Sequence, residues 1–202
     1  MPSSTILGHL GLFVRRGFLS PESCRQIRHE MAAGARVPAM VRPAGSAEGL
    51  VDENTRRTGI AGVSPGTTAL IETQLRDIQP VLEEHFRVQS TGWQQPQFYI
   101  YEPGDFFLPH RDSDTDPVAP EWVRKRQVSV SIFLNDEDGI DDEPYGGGTL
   151  VFHGHRGDRQ GSGFGIPLES EAGMFVAFPS DWIHEVKPVT SGRRYSIVTW
   201  YL

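Results

Sequence analysis

VSVSIFL, at residues 128–134, is one of several short alternating or apolar runs that follow one another from about residue 95. Turn-forming residues such as glycine, proline and aspartate separate these runs. The other runs are QFYIY at 97–101, GTLVF at 148–152, MFVAF at 174–178 and YSIVTWYL at 195–202. Short strands at this spacing predict an all-β sandwich or barrel rather than parallel strands joined by crossover helices.

The region before residue 95 begins with the features of a helix. Ser20 precedes Pro21, and this pair indicates a helix start because serine caps free backbone N–H groups and proline fits the first turn. We expect this first helix to end near Gly34. Its apolar face is predicted to consist of Cys24, Ile27 and Met31.

A looser stretch at 35–66, rich in glycine, proline and small residues, precedes a second predicted helix. Thr67 or Thr68 can start that helix, and Pro80 is expected to kink or divide it. Helical spacing then gives a mostly apolar stripe. Its members are Leu70, Ile71, Gln74, Leu75, Ile78, Leu82 and Phe86.

The two regions read as one unit, because no repeat, low-complexity tract or clear linker separates them. A chain of 202 residues is long enough to bury a sizeable core, and this length is common for one domain. We therefore predict a single domain over 1–202, in which 1–94 provides helical support and variable loops. Residues 95–202 are predicted to form the β core.

Two histidines and one carboxylate indicate a metal site. His110 and Asp112 stand one residue apart in YEPGDFFLPHRD (101–112), and residues i and i+2 of an extended strand share a face. His184, in FPSDWIHEVKP (178–188), would complete a triad on one side of the ion. The remaining positions then stay open for small ligands, which suits non-haem Fe(II) and oxygen chemistry. The structural alternatives are a turn-forming aspartate and histidines that only bond to backbone carbonyls.

The last predicted strand carries a guanidinium and a hydroxyl on one face. Arg194 and Ser196 alternate after the turn at 190–192. A guanidinium binds a carboxylate through paired charge-assisted hydrogen bonds, and a neighbouring hydroxyl adds a third donor. This face could therefore anchor a dicarboxylate by its far end. Arg193 is the competing cation, but it would point the other way and is interpreted as a solvated surface charge.

Four separated segments, in this order, resemble the 2-oxoglutarate and Fe(II)-dependent oxygenases, in particular the prolyl 4-hydroxylase-like branch. They are YEPGDFFLPHRD, VSVSIFLND, YGGGTLVF and AFPSDWIHEVKPVTSGRRYSIVTWYL. The resemblance covers 95–202 well and the earlier part of the chain only loosely. It implies a double-stranded β-helix, a cupin-like variant of the jelly roll, and this fold fits the predicted strands.

The resemblance also implies roles for the site residues. It implies that His110, Asp112 and His184 bind Fe(II), and that the basic residue ten positions after the last histidine, Arg194, binds the 5-carboxylate of 2-oxoglutarate. O2 is the second implied cosubstrate, ascorbate is a further candidate, and no catalytic side chain is expected beyond the metal site. Halogenating relatives have a small residue in place of Asp112, so hydroxylation is the implied reaction.

Three residues are candidates for the hydroxyl group that faces the cosubstrate, and the sequence does not choose among them. Tyr101 resembles the tyrosine that lines the oxoglutarate pocket in this family, and Tyr99 shares its strand face. Thr149 is the third candidate. Phe133 stands where some prolyl hydroxylases present a tyrosine, so that position offers no hydroxyl here.

Candidate substrate contacts lie mainly before the second helix. Arg57 and Thr58 resemble an arginine-containing element of prolyl hydroxylase-like proteins, and Arg56 and the segment 112–121 are further candidates. Trp200 could border the iron or simply pack in the core.

The expected substrate is a prolyl residue of a peptide or protein. The alternative substrate is a free amino acid or another small metabolite. A non-catalytic metal-binding jelly roll and a sensor that acts through a partner protein are the alternatives from other classes.

Two other sequence patterns resemble binding sites but lack a required residue. His153 and His155 could form a metal pair of the cupin kind, but the glutamate expected a few residues later is absent. The glycines at 146–148 do not lie between a strand and a helix with a suitable lysine. They are therefore predicted to form a turn and not a phosphate-binding loop.

The charge and cysteine content narrow the class of partner. The formal net charge of −7, with acidic residues concentrated at 136–143, makes a nucleic-acid partner unexpected. The acidic segment could attract a cationic peptide, but we interpret it as a solvated, mobile connection. Cys24, the single cysteine, can form no internal disulfide, which predicts a reducing, cytoplasmic setting. The N-terminus reverses the order of a signal peptide and no run reaches membrane-spanning length, so no membrane partner is expected.

Overall fold

The computed structural model describes residues 11–43, 45–139, 142–154 and 165–202. Its helices are α1 (Pro21–Ala33), α2 (Pro65–Phe86) and the short α3 (Glu121–Arg124). The strands up to the middle of the chain are β1 (Phe13–Arg15), β2 (Arg36–Pro38), β3 (Arg56–Arg57), β4 (Gly59–Ala61), β5 (Gln97–Tyr101), β6 (Phe106–His110) and β7 (Val128–Phe133). The later strands are β8 (Gly146–Gly147), β9 (Leu150–Gly154), β10 (Ile166–Leu168), β11 (Phe175–Pro179), β12 (Ile183–Val186), β13 (Val189–Ser191) and β14 (Arg194–Tyr201).

The strands form two facing antiparallel sheets. The larger sheet has the order β1-β11-β7-β14-β5-β4-β2, and the smaller has the order β10-β9-β12-β6-β3. Strands β13 and β8 form a separate pair. Strands that are neighbours in space are distant in the chain, as in a jelly roll. The predicted double-stranded β-helix is therefore confirmed.

Two apolar layers hold the molecule together. One lies between the larger sheet and helices α1 and α2, where the helices contribute Ile27, Met31, Ile71 and Leu75. The other lies between the two sheets and includes Tyr99, Tyr101, Phe133, Phe152 and Phe178. Alternate residues of β5 belong to different layers, because successive side chains of a strand point to opposite faces. The larger sheet is thus buried on both sides.

Helix α1 confirms its prediction. The Ser20 hydroxyl accepts a hydrogen bond from the Ser23 N–H, Pro21 begins the helix, and Gly34 follows its last residue. These local signals are sufficient here because the cap, the proline and the apolar face all agree.

Helix α2 begins earlier than predicted. Ser64 caps it by accepting from the Thr67 N–H, and Pro65 opens it, so the start lies before Thr67 and Thr68. The serine and proline repeat the arrangement that opens α1. The helix also continues through Pro80, which was expected to kink or divide it. Pro80 lies on the exposed face, and the buried stripe on the opposite face packs without interruption on the larger sheet.

The part of the chain before residue 95 supplies more than helices and loops. Strands β1, β2 and β4 extend the larger sheet, and β3 forms the edge of the smaller sheet. The prediction of a purely supporting N-terminal part was therefore incomplete. Two or three residues are too few to show the alternation that identifies a strand.

The acidic segment is fastened to α1. The buried guanidinium of Arg28 contacts Asp142, lies 3.2 Å from Glu143 Oε2 through its Nε, and donates to the Leu134 carbonyl at 2.5 Å. Both carboxylates are exposed, as expected of a solvated segment, but they are not unattached, because they compensate a buried positive charge.

Every helix in the described part of the chain is too short or too polar to cross a lipid bilayer.

The apolar layer under α2 makes a stability prediction. Leu75 is 0% exposed, whereas Leu70, in the same predicted stripe, is 43% exposed. We expect Leu75→Ala to lower the free energy of unfolding by about 2–5 kcal/mol through the lost burial and the cavity left behind. The matched control, Leu70→Ala, should change it by less than about 1 kcal/mol. Urea unfolding followed by circular dichroism measures both, and equal losses would contradict this description of the core.

Candidate metal and cosubstrate site

Strand pairing brings the two predicted histidine ligands together. His110 on β6 lies directly opposite His184 on β12, and their ring centroids are 4.2 Å apart. Phe107 stacks on the ring of His110 at 3.4 Å, and Phe178 packs edge-on against His184 at 4.7 Å. His184 is buried and His110 half-buried. Aromatic walls therefore hold both imidazoles in place on one side of the smaller sheet.

The third predicted ligand comes from a loop. Strand β6 ends at His110, and the Asp112 N–H then donates to the Ser180 carbonyl, at 3.0 Å. The Asp112 carboxylate reaches both imidazoles, with distances of 3.6 Å to His110 Nε2 and 3.5 Å to His184 Nε2. The expected strand alternation between His110 and Asp112 was thus wrong. The loop bond to Ser180 positions the carboxylate instead.

Both imidazoles are oriented by backbone carbonyl groups. His110 Nδ1 lies 2.8 Å from the Leu108 oxygen, and His184 Nδ1 lies 3.0 Å from the Trp182 oxygen. If each Nδ1 carries the proton and donates it, each Nε2 keeps its lone pair for a metal. Within the described residues, this is the one group of three side chains whose ligand atoms all lie within 4.8 Å of one another.

The charges of the triad suit a divalent cation. Burial alone would raise the pKa of Asp112, but His184, His110 and Arg126 together hold that pKa well below its usual range. Burial and the neighbouring His110 lower the pKa of His184 to about 4, although Asp112 opposes this shift. At neutral pH the site therefore presents a carboxylate and a neutral imidazole. These are the protonation states that bind metals.

The predicted dicarboxylate anchor lies at the bottom of the same cavity. Arg194 is 2% exposed, and its Nη1 donates to Ser196 Oγ at 2.9 Å. Its guanidinium lies 5.1 Å from the ring centres of Tyr101 and Phe133. Its Nε is buried without a hydrogen-bond partner. A buried donor without a partner costs about 1–3 kcal/mol, which an incoming carboxylate would offset.

Arg193 has the position expected of a surface charge. Its side chain is exposed, and its Nε forms an ion pair with Glu102 Oε2 at 3.1 Å. Of these two neighbouring arginines, Arg194, the first residue of β14, is the one that lines the cavity.

The candidate hydroxyl groups differ in their surroundings. Tyr99 and Tyr101 both line the cavity, and the Tyr99 hydroxyl donates to the Gln97 side chain. Thr149 donates to Glu137 and does not line the cavity. The choice among the three thus narrows to the two tyrosines.

Tyr145 and Gly148 support the arginine and were missed in the sequence. The Tyr145 hydroxyl lies 2.6 Å from Ser170 Oγ and interacts with Arg194. Gly148 has a φ of +66°, and a Cβ there would lie 3.1 Å from Arg194 Cδ and 3.2 Å from Tyr145 Cε2. Only glycine fits this left-handed position against both side chains. The three consecutive glycines were the available signal, but they were interpreted as a turn alone.

The cavity that contains these groups has a volume of about 630 Å³. Trp200, a predicted substrate contact, lines it together with Arg56 and Arg126. The Arg126 guanidinium lies 3.6 Å from the Trp200 ring centre, and its Nη1 donates to the Asp112 carbonyl at 3.0 Å. This volume is within the range of small-molecule sites.

Two predicted substrate contacts lie outside this cavity. Arg57 is exposed, with its guanidinium over the Phe106 ring, and the Thr58 hydroxyl donates to the Ile100 carbonyl at 2.9 Å. This placement contradicts a direct contact of Arg57 or Thr58 with substrate in the cavity. Successive residues of β3 point to opposite faces, so Arg56 is the one that faces the cavity.

The rival histidine pair does not join the triad. His153 Nε2 lies 2.8 Å from Glu185 Oε1, and both side chains are largely buried. His155 lies outside the described residues. His153 thus contacts Glu185 and does not belong to the metal cluster.

Comparisons with known proteins agree with this site. The family model described as "2OG-Fe(II) oxygenase superfamily" matches residues 96–202, more than half of the chain. A PKHD-type hydroxylase of Shewanella oneidensis is 32% identical over 105 residues, which are 52% of this chain and 41% of that protein. One of Bordetella pertussis is 33% identical over 106 residues, 52% of this chain and 42% of that protein. The match therefore spans less than half the length of these relatives.

Solved structures share the fold over nearly the whole chain. A prolyl-4-hydroxylase of Pseudomonas putida has a TM-score of 0.68 and 23% identity, covering 96% of this chain and 94% of that one. A prolyl hydroxylase of Trichoplax adhaerens, solved with a hypoxia inducible factor peptide fragment, has a TM-score of 0.70 and 20% identity. It covers 97% of this chain and 85% of that one. At these identities the likeness shows the fold alone.

The triad predicts metal binding that depends on Asp112. We expect Asp112→Ala to weaken the binding of Fe(II) by more than about 100-fold, as measured by anaerobic calorimetric titration. Loss of a residue that only supports a ligand weakens metal binding by about 10–100-fold, so a larger loss indicates a direct ligand. His153→Gln is the matched control, because it changes a buried imidazole that pairs with a carboxylate outside the cluster. Its affinity for Fe(II) should stay within about twofold of wild type. Equal losses in the two variants would refute the assignment.

Proposed function

Because this chain belongs to the 2-oxoglutarate and Fe(II)-dependent oxygenase superfamily, we propose that it hydroxylates an unactivated C–H bond with Fe(II), 2-oxoglutarate and O2. The main support for this proposal is that one cavity contains both the triad of His110, Asp112 and His184 and the buried Arg194, whose Nε has no hydrogen-bond partner. The residues fit both groups, since the triad offers metal ligands and the arginine offers a donor to a carboxylate.

When bound, Fe(II) would activate O2, the oxidant, while 2-oxoglutarate supplies two electrons; one oxygen atom enters succinate as CO2 is released, and the other becomes the hydroxyl group of the product. The chain's own residues bind and orient. Arg194 and Ser196 would hold the far carboxylate of the cosubstrate, and His110, Asp112 and His184 would bind the metal through two imidazoles and one carboxylate. The retained carboxylate of Asp112 favours hydroxylation over halogenation.

Aromatic rings cover part of the metal side and limit the access of bulk water to it. Phe107 covers one imidazole and Phe178 packs against the other. Removal of water strengthens the electrostatic interactions within the site and limits side reactions.

We propose a prolyl residue of a peptide or protein as the first substrate class. The name of the Pseudomonas relative and the peptide bound to the Trichoplax relative support this choice. Met40 and Trp122, which line the cavity mouth and are 61% and 51% exposed, could contact an apolar ring or the flanking residues of a peptide. A free amino acid or small metabolite is the alternative substrate.

Further features of the proposal stay predictions. A single domain over 1–202 and a reducing, cytoplasmic setting are expected, the latter from the single cysteine, Cys24. The acidic net charge makes a nucleic-acid partner unexpected. Ascorbate is a candidate reductant.

The most direct test is the conversion of 2-oxoglutarate to succinate by the Fe(II)-loaded protein. We expect wild type to form succinate and His110→Ala to form none above background, because the metal loses a ligand. Anaerobic addition of 2-oxoglutarate to the Fe(II)-loaded protein should also produce a charge-transfer absorbance. Tight metal binding without this absorbance would instead support a non-catalytic metal protein. Slow turnover together with a partner whose binding follows hydroxylation would support a sensor.

The assignment of the cosubstrate arginine has its own test. We expect Arg194→Gln to raise the KM for 2-oxoglutarate at least about tenfold, since a charge-assisted hydrogen bond contributes about 1.5–3 kcal/mol. The neighbouring Arg193→Gln is the control and should change this KM by less than about twofold, because exposed ion pairs contribute little. Succinate formation at varied 2-oxoglutarate concentration gives both values. A larger effect in Arg193→Gln would reverse the assignment.

A further inference from the structure

We infer that the substrate of this site carries a free carboxylate that Arg56 binds, as in a free amino acid or the C-terminal residue of a peptide. The inference rests on the proposed hydroxylase function, and among the substrates proposed above it selects those with a free carboxylate, which include the alternative, a free amino acid. It favours a carboxylate-bearing residue over a prolyl residue inside a peptide chain, where the α-carboxyl group is an amide.

Arg56 is fixed beside the metal side of the cavity. Strand β3 pairs with β6 so that Arg56 lies opposite Phe107, and the Leu108 N–H donates to the Thr55 carbonyl at 3.0 Å. The guanidinium lies 4.4 Å from the centre of the Phe107 ring, whose other neighbour is His110 at 3.4 Å. One aromatic ring therefore separates Arg56 from a proposed metal ligand. A small molecule bound to Arg56 would lie within reach of the metal.

The guanidinium has only neutral hydrogen-bond partners among the described residues, including the phenol groups of Tyr99 and Tyr101. Its Nε is buried without a hydrogen-bond partner, and its Nη1 makes one long bond, 3.4 Å, to the Met40 carbonyl. Within the described part of the chain, no carboxylate forms an ion pair with it. Burial would lower the pKa of Arg56, but the phenol groups of Tyr99 and Tyr101 raise it, so the side chain stays charged. Arg56 is half-buried, and a partly desolvated charge without a counter-ion is costly, so a bound anion would reduce that cost.

Two other arginines of the cavity use more of their N–H donors within the protein than Arg56 does. Arg42 forms an ion pair with Asp114. Arg126 donates to Gln94 Oε1 from Nε and Nη2, at 3.1 and 2.7 Å, and to a backbone carbonyl from Nη1. Arg194 is already assigned to the cosubstrate. The cosubstrate therefore leaves the charge of Arg56 uncompensated.

The shape of the arginine site favours a carboxylate over a neutral group. The guanidinium lies between the rings of Tyr99 and Phe107, at 4.3 and 4.4 Å, so the two rings restrict its plane. A planar fork held in this way can bind both oxygens of a carboxylate. The amide of an internal peptide residue offers one neutral oxygen, so the positive charge would stay unpaired. The expected discrimination is therefore between acid and amide forms of the same molecule.

The first experiment compares matched acids and amides on the full chain loaded with Fe(II) and 2-oxoglutarate under anaerobic conditions. The probes are the free proteinogenic amino acids, their N-acetyl derivatives and glycyl dipeptides, each as the acid and as the C-terminal amide. Calorimetry measures binding without turnover. We expect at least one acid to bind at least about tenfold more tightly than its amide. If no acid binds more tightly than its amide, the inference is overturned. Tightest binding of a free amino acid would indicate a free amino acid as substrate, whereas tightest binding of an N-acetyl derivative or a glycyl dipeptide would indicate a peptide C-terminus.

Substitution then tests whether Arg56 is responsible. We expect Arg56→Gln to weaken binding of the preferred acid at least about tenfold and to bring the acid-to-amide ratio close to one. Arg56→Lys should restore part of the preference, since it retains the charge but not the planar fork. Arg57→Gln, on the opposite face of β3, is the matched control and should leave the ratio unchanged. A preserved ratio in Arg56→Gln, or an increased KM for 2-oxoglutarate without loss of the ratio, would show that Arg56 does not bind the substrate.

Failure of this inference differs from failure of the proposed function. A wild-type protein that forms succinate but prefers amides or internal prolyl residues would refute the carboxylate site alone. A protein that forms no succinate with any probe would refute the hydroxylase, while the binding comparison would still decide whether Arg56 selects a carboxylate.

Discussion

The pairing of β6 with β12 is the constraint on which the site depends. Residues directly opposite on antiparallel strands have side chains close enough to share a ligand, and His110 and His184 are such a pair. A register shift of one residue would turn one of the imidazoles to the other face of the sheet. Irregularities in the pairing of β12 lie immediately on both sides of His184, towards β9 and towards β6. The rings of Phe107 and Phe178 packed against the histidines favour this register, because a shift of one residue would remove these contacts.

The two sheets contribute different parts of the site. The smaller sheet holds the histidines, and the larger sheet holds Arg194 and Ser196 on β14. A dicarboxylate is suited to this arrangement because one end can reach the metal while the other end reaches the opposite sheet. The edge strand β3, which belongs to the part of the chain before the family match, adds Arg56 to the cavity. The residues matched by the family model thus include the candidate metal ligands and Arg194, whereas Arg56 in the cavity wall lies before the match.

Much of the site could be predicted because its signals are local. The triad and Arg194 follow from short motifs and their order, and the start of α1 follows from Ser20 and Pro21. The errors have a common cause. Asp112 was expected on a strand, and Arg57 was preferred to Arg56 as a substrate contact, yet each position depends on a distant partner. The Ser180 carbonyl holds Asp112, and Phe107 on β6 fixes which face of β3 meets the cavity.

The sequence by itself determined the residue types that can bind a metal and a dicarboxylate, the strand and helix periodicities, and the capped start of α1. These depend on neighbours within one turn or one strand, where spacing alone decides which side chains share a face. Only the tertiary structure decided that Gly148 and Tyr145 support Arg194, that Arg28 holds the acidic segment, and that Arg56 faces the cavity. Such contacts join elements far apart in the chain. They are set by sheet register and by the burial of charge, which no local window of sequence contains.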